Sequence, residues 1–231
     1  QITNSIFKNN IARGNGGAIS ASGEGVLSIT GSLFLNNIAS NLNNTAGDNA
    51  NGGAINVFSD DRRVLISSTT FYNNTANLQG GGLYFSGTNA NSLLSNVTVF
   101  DNKVTLPSAE NSRGGGVRIE GNRPFEIKNS LFYGNNLGDA TNSESDINTV
   151  ELALLTLTNS LSGDTRGITS ADFYSTSIID VDLTSSNLNF NGSSGFVEYD
   201  LPLVGDDSPI DFGSDGNDAG AWDSGAVLSI I

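Results

Sequence analysis

Ile66-Ser67-Ser68-Thr69-Thr70-Phe71-Tyr72-Asn73-Asn74 is the stretch on which the reading of this chain turns, because its pattern returns in four other places. A branched aliphatic stands five positions before an aromatic residue or Val, and an Asn stands three positions after it. The aliphatic column is Ile2, Ile29, Ile66, Leu94 and Ile127. The second column is Phe7, Phe34, Phe71, Val99 and Phe132, and the amide column is Asn10, Asn37, Asn74, Asn102 and Asn135. Two positions before each aromatic lies a small residue or Val: Ser5, Ser32, Thr69, Val97 and Ser130, then Ser160. Leu157 with Ser162 carries the register once more. The interval between units varies while the motif inside each unit stays fixed. Recurrence within about 20–50 residues marks stacked supersecondary units.

Each unit reads as short strands. Ile55 and Val57, Leu83 and Phe85, and Val117 and Ile119 alternate with Asn56, Tyr84 and Arg118, the period-2 pattern of a half-buried strand. Leu27 and Ile29, Val64 and Ile66, and Phe125 and Ile127 form a second strand ahead of the aromatic column. Glycine clusters at 16–17, 52–53, 80–82 and 114–116 supply turns that need positive φ. Short strands and turns at this repeat length wind into an all-β, right-handed parallel β-helix of five to six rungs. Rungs then lie about 4.8 Å apart and like side chains stack. The Phe and Ile columns become apolar stacks and the Asn column a ladder of amides. An up-and-down antiparallel barrel competes, but it predicts hairpins and no identical-residue columns. Residues 1–164 are expected as rungs and 165–231 as last coils and a C-terminal cap.

Composition narrows the function. The 231 residues carry 24 acidic against 10 basic side chains, a net charge of −14, which repels nucleic acid and anionic headgroups. Absence of Cys rules out disulfides and thiolate sites, and absence of His removes the commonest general base and metal ligand. No segment approaches the roughly 20 apolar residues that span a bilayer. The start at Gln1, in mid-coil, suggests a piece of a longer exported precursor, with an open first rung that more rungs or another subunit would cover.

The repeated F-x-x-N motif, at Phe7-Lys8-Asn9-Asn10, Phe34-Leu35-Asn36-Asn37, Phe71-Tyr72-Asn73-Asn74 and Phe132-Tyr133-Gly134-Asn135, alternates with G-G-A-I at residues 16–19 and 52–55. This resembles the passenger repeats of chlamydial polymorphic outer-membrane proteins and related bacterial β-helix surface proteins. The later glycine clusters depart from the G-G-A-I form. Asp207-Ser208-Pro209-Ile210-Asp211-Phe212-Gly213 with Asp218-Ala219-Gly220-Ala221-Trp222-Asp223 resembles the ending of secreted choice-of-anchor β-helix proteins, one residue shorter than the common form. The resemblance implies a β-helix, export and cell-surface or extracellular residence. It implies no reaction, since the motif residues are structural.

Candidate sites lie off the repeated columns. Segments 38–51 and 103–113 both fall between the amide column and the glycine turn, so they project from one side and offer a binding edge. Its residues are Asn43, Asn44, Asp48 and Asn49, with Ser108, Glu110, Asn111 and Arg113. Asp206, Asp207, Asp211, Asp215 and Asp218 bring oxygen ligands together, so calcium is the one metal the sequence leaves room for, although none is required. Their spacing does not match an EF-hand loop, and turn-forming Asp is the simpler reading. Arg113, Arg118 and Lys128, with Glu120 and Glu126, group basic and acidic residues on outward strand positions. An enzyme reading would take Lys128 or Arg118 as the base of a polysaccharide lyase; surface charge pairing is the plainer alternative. Asp60-Asp61-Arg62-Arg63 reads as a solvated hairpin tip.

Two functions follow. The first is an exported, non-catalytic structural or adhesive rod whose loops bind glycans or a host or cell-surface protein. Its neighbours would be N-terminal rungs or copies of itself, joined head to tail through the apolar strand Ala226–Ile231 into a filament. The alternative is a lyase-like enzyme on an acidic polysaccharide, against which the net charge works unless calcium screens it.

Overall fold

The computed structural model describes residues 1–41, 50–59, 61–87, 91–105, 113–121, 123–138, 143–149, 154–158 and 160–162, together with the strand pieces 173–175, 178–180, 189–190 and 199–200. These residues are all-β. Three sheets of stacked strands carry the structure, with parallel pairing almost throughout.

Every unit contributes in turn to each sheet. The first sheet holds Ile2–Thr3, Gly25–Thr30, Arg62–Tyr72, Ser92–Phe100, Pro124–Lys128 and Leu154–Thr158 in sequence order. Its continuation carries the aromatic column on Ile6–Lys8, Leu33–Leu35 and Leu131–Tyr133. Register pairs Ile2 with Ile29, Ile29 with Ile66, Ile66 with Leu94, and Ile127 with both Leu94 and Leu157. Parallel pairing runs on to Phe173–Ser175 and Ile178–Asp180. The second sheet is built from very short strands, Ile11–Arg13, Ile38–Ser40, Thr75–Ala76, Lys103–Val104 and Asn136–Leu137, and closes on an antiparallel strand, Ser143–Glu144. The third holds Ile19–Ser22, Ile55–Phe58, Leu83–Ser86, Val117–Glu120 and Ile147–Thr149. This arrangement is compatible with a β-helix.

The core lies between the sheets and consists of the expected columns. Phe7 stacks on Phe34 with ring centroids 4.7 Å apart, and Phe34 on Phe71 at 4.9 Å. Val99 takes the next place, paired with Phe71 and Phe132, all three fully buried. Removing one such ring leaves a void that neighbours on either side cannot close, a loss of about 3–5 kcal/mol.

Two polar columns line the core corners. Each ladder Asn donates its backbone N–H and its side-chain amide to the Oδ1 of the next unit's Asn: Asn10 to Asn37, Asn37 to Asn74, Asn74 to Asn102 and Asn102 to Asn135, at 2.8–3.1 Å. The series ends on Asp146, fully buried, whose Oδ1 accepts from Asn135. Small hydroxyls do the same at the other corner. Ser5 N–H donates to Ser32, Ser32 to Thr69, Val97 to Ser130, and Ser130 to Ser160.

Both corners share a backbone device. The residue before each ladder Asn sits at positive φ: Asn9, Asn36, Asn73, Asp101 and Gly134. So does the residue before each hydroxyl position: Asn4, Gly31, Ser68, Asn96 and Asn129. One left-handed residue turns the strand sharply and aims the next side chain inward, and Asn, Asp and Gly adopt that conformation at least cost.

The glycine turns need glycine for a different reason at Gly53. An added Cβ there would overlap the Gly81 carbonyl oxygen of the next unit, so the turn edge is packed backbone on backbone.

Candidate functional site: the outer face of the third sheet

The residues that point away from the core on the third sheet form a second set of columns. Register aligns Ser20, Asn56, Tyr84, Arg118 and Asn148, and beside them Ser22, Phe58, Ser86 and Glu120. Outward positions of a sheet are ordinarily wet, yet Asn56, Tyr84, Arg118 and Asn148 are each less than a tenth exposed. The glycine turn supplies part of the cover. A Cβ placed on Gly80 would lie 2.9 Å from Tyr84 Cβ, and one on Gly114 would lie 3.0 Å from Arg118 Cβ. The turn therefore folds against the outward column as a wall. Asn15, Asn51, Gln79 and Arg113 precede the glycines, tied by Gly16, Gly52 and Gly80 N–H donating to the carbonyls of Asn51, Gln79 and Arg113.

A charged cluster sits in this strip. Arg118 Nη2 lies 2.9 Å from Glu120 Oε1 and its Nε donates to the same oxygen, while Tyr84 Oη donates to Glu120 Oε2 at 2.8 Å. Burial pushes the Arg118 guanidinium below its ordinary value, Glu120 works against that, and Arg113 adds a like charge. Burial and then the Glu120 carboxylate push the Tyr84 phenol well above its ordinary value. The Glu120 side chain thus fixes both neighbours.

Among the described residues, four side-chain oxygens in the same region are enclosed and have no hydrogen-bond partner. Asn56 Oδ1 and Asn148 Oδ1 lie on the floor, and Asn51 Oδ1 and Gln79 Oε1 lie in the wall. A buried acceptor left unpaired costs about 1–3 kcal/mol, and natural folds carry only a few. Around the buried strip lie exposed groups: Ser20, Arg113 and Asn15, and the ring of Phe58, which is 66% exposed.

Most of the site residues expected from sequence cannot be placed. Asn43, Asn44, Asp48, Asn49, Ser108, Glu110 and Asn111 lie outside the described residues, as do Asp206, Asp207, Asp211, Asp215 and Asp218. Arg113 is exposed and bridges to Gln79 through the backbone. The grouping of Arg113, Arg118 and Lys128 with Glu120 and Glu126 is corrected. Arg118 and Glu120 belong to the third sheet, whereas Glu126 and half-buried Lys128 belong to the first. Arg118 is also a buried, paired residue rather than a surface charge.

Asp61-Arg62-Arg63 is no hairpin tip, since the strands it joins lie in different sheets. Arg62 Nη2 donates back to the Ser22 carbonyl at 2.6 Å and Arg63 Nε forward to the Asn91 carbonyl at 2.9 Å, so the pair ties three successive units. Asn51, Gln79 and Asn148 escaped the sequence reading. The signal for Asn148 was its register with Arg118, hidden because no glycine cluster precedes its strand.

No group of three or more His, Cys, Asp or Glu residues able to hold a metal occurs among the described residues, and no helix there is long and apolar enough to cross a membrane. No protein-family model, curated protein or solved structure matches this chain.

Proposed function

We propose that this chain is a right-handed parallel β-helix that serves as an exported structural and adhesive module, displayed on a cell surface or released outside it. The carrying observation is the continuity of the aromatic and amide columns from Phe7 and Asn10 to Phe132 and Asn135. Such columns make a stiff body whose interior does no chemistry and whose outer edge is free to vary. The net charge of −14 suits a soluble exterior and disfavours anionic partners. Glycans or a surface protein are the partners that fit, and copies of the chain joined head to tail would extend the rod.

Five to six rungs about 4.8 Å apart make one copy roughly 30 Å long, so small-angle scattering tests the head-to-tail extension. An elongated particle of constant cross-section that lengthens with concentration is expected, and a compact single copy at every concentration would refute the filament. Adhesion is tested by coating beads with the chain and scoring retention on glycan-bearing surfaces against uncoated beads; equal retention refutes the adhesive role.

A further inference from the structure

We propose that the outer side of the amide corner, carried by Ile6–Lys8, Ile11–Arg13 and the strands stacked on them, docks the acidic C-terminal part of a second copy of this chain, shifted along the stacking direction. The proposal deepens the head-to-tail reading and rests on it, because it names the face that joins the copies and makes the join depend on salt.

Charge is unevenly divided along the chain. Nine of the 10 basic side chains lie in residues 1–128, which hold eight of the 24 acidic ones, for a net charge of +1. Residues 129–231 hold Arg166 and the other sixteen acids, for a net charge of −15. The basic side chains of the first part have a place on the surface. On the outer side of the amide corner, through Leu137, Lys8, Arg13 and Lys103 are exposed and half-buried Asp101 is the one acid among the described residues; Glu144 follows on the closing strand. Lys8 and Arg13 stand on the first unit, four strand steps from the unit of Leu131 and Asn136, roughly 19 Å along the stack. Later strands pile up away from that end, with Leu155 and Leu157 in register beyond Phe125 and Ile127, and Phe173–Ser175 beyond these. The unlike charges of one copy therefore lie toward opposite ends of its stack, and a second copy shifted along the axis brings them together. A contact of that kind is heterologous and does not close, so it repeats into a filament.

Exposed ion pairs alone hold a contact weakly. This face also offers apolar surface. Ile6 is 49% and Ile11 69% exposed, two of the four large apolar side chains left in the open among the described residues. Register places Lys8 in one column with Leu35 and the half-buried rings of Tyr72, Phe100 and Tyr133, which stack with centroids 5.4 and 5.6 Å apart. An apolar row rimmed by cations suits a protein partner that carries apolar residues beside its acids. The acidic part of the chain has such stretches in Ile178-Ile179-Asp180 and Asp200-Leu201-Pro202-Leu203-Val204.

The test is sedimentation velocity in about 20 mM and about 500 mM sodium chloride, where the screening lengths are about 20 Å and about 4 Å. The wild-type chain is expected to form assemblies at low salt that fall to single copies at high salt. Lys8→Glu with Arg13→Glu, at exposed positions that leave the melting temperature unchanged, raises the low-salt dissociation constant about tenfold or more. That variant keeps its acidic part, so when mixed with wild type it adds at one end and shortens the assemblies. Wild-type single copies at both salts overturn the proposal, and so does a variant that assembles like wild type or leaves mixtures at wild-type length. Wild-type single copies that instead bind polygalacturonate beads would give the face to an anionic polymer and overturn it too. Assembly that persists at high salt and ignores the variant would sink this face and leave the head-to-tail rod standing.

Discussion

The amide corner and the hydroxyl corner use the same backbone turn and behave differently. At the amide corner Asn37, Asn74, Asn102 and Asn135 each accept two bonds, make two forward, and reach back to a carbonyl of the preceding unit, Phe7, Phe34, Phe71 or Val99. At the hydroxyl corner each Ser or Thr accepts one N–H, and Thr69 and Ser130 spend their proton on a carbonyl two residues upstream. The first corner therefore binds three units through one side chain, and the second binds two. That difference explains why the amide column runs without exception through Asn135 while the hydroxyl column admits Val97.

The comparison breaks first at Asn74. Asn74→Ala strips the acceptor from Asn37 N–H and amide and the donor from the Phe34 carbonyl, so stability falls by about 4 kcal/mol, read from urea unfolding. Thr69→Val leaves the Ser32 N–H without its acceptor and the Ser67 carbonyl without the Thr69 hydroxyl, and costs about 1–2 kcal/mol in the same assay. Equal losses at the two sites would refute the contrast. Val97→Thr supplies an acceptor opposite Thr69, with which it is in register, and raises stability by about 1 kcal/mol.

The smallest effect belongs to Asp101, half-buried at the left-handed position of the amide corner. Burial raises its carboxyl above the ordinary value, and Lys103 opposes the shift. The folded chain thus favours the neutral acid, so this residue's contribution is complete below the ordinary carboxyl range and is lost as pH rises through the raised value. Asp101→Asn keeps the left-handed geometry and gains about 0.3 kcal/mol at neutral pH after allowance for solvent screening. Paired melting curves are expected to converge below the ordinary carboxyl range, where both forms are uncharged. A gap that persists there would assign the effect to geometry instead of charge.

The columns were legible because stacking forces like residues to recur at like positions, and the register Ile29–Ile66–Leu94–Ile127 follows the sequence motif. The second sheet was not legible. Strands such as Thr75–Ala76 are too short to show alternation, and Ile38–Ser40 and Lys103–Val104 fall in the segments 38–51 and 103–113 that read as insertions. The left-handed positions were present as Asn9, Asn36, Asn73, Asp101 and Gly134, a set of residues that tolerate positive φ, but their neighbours in the amide column drew the reading. Part of the outward strip was visible as Asn56, Tyr84 and Arg118. Their burial was not, because it depends on the glycine turn folding back over the sheet, which is a contact between residues of different roles rather than a repeat.

Val97 and Val99 both fall in the strand Ser92–Phe100, so one unit departs from its neighbours at two inward positions at once. A ladder of interchangeable steps invites mis-threading, because a chain slipped by one whole step would satisfy the same bonds. This strand is the exception that such a slip cannot copy: a valine would meet a slot cut for a ring, and a hydroxyl would be wasted. The irregular unit thereby acts as an index mark, telling the folding chain which step it has reached.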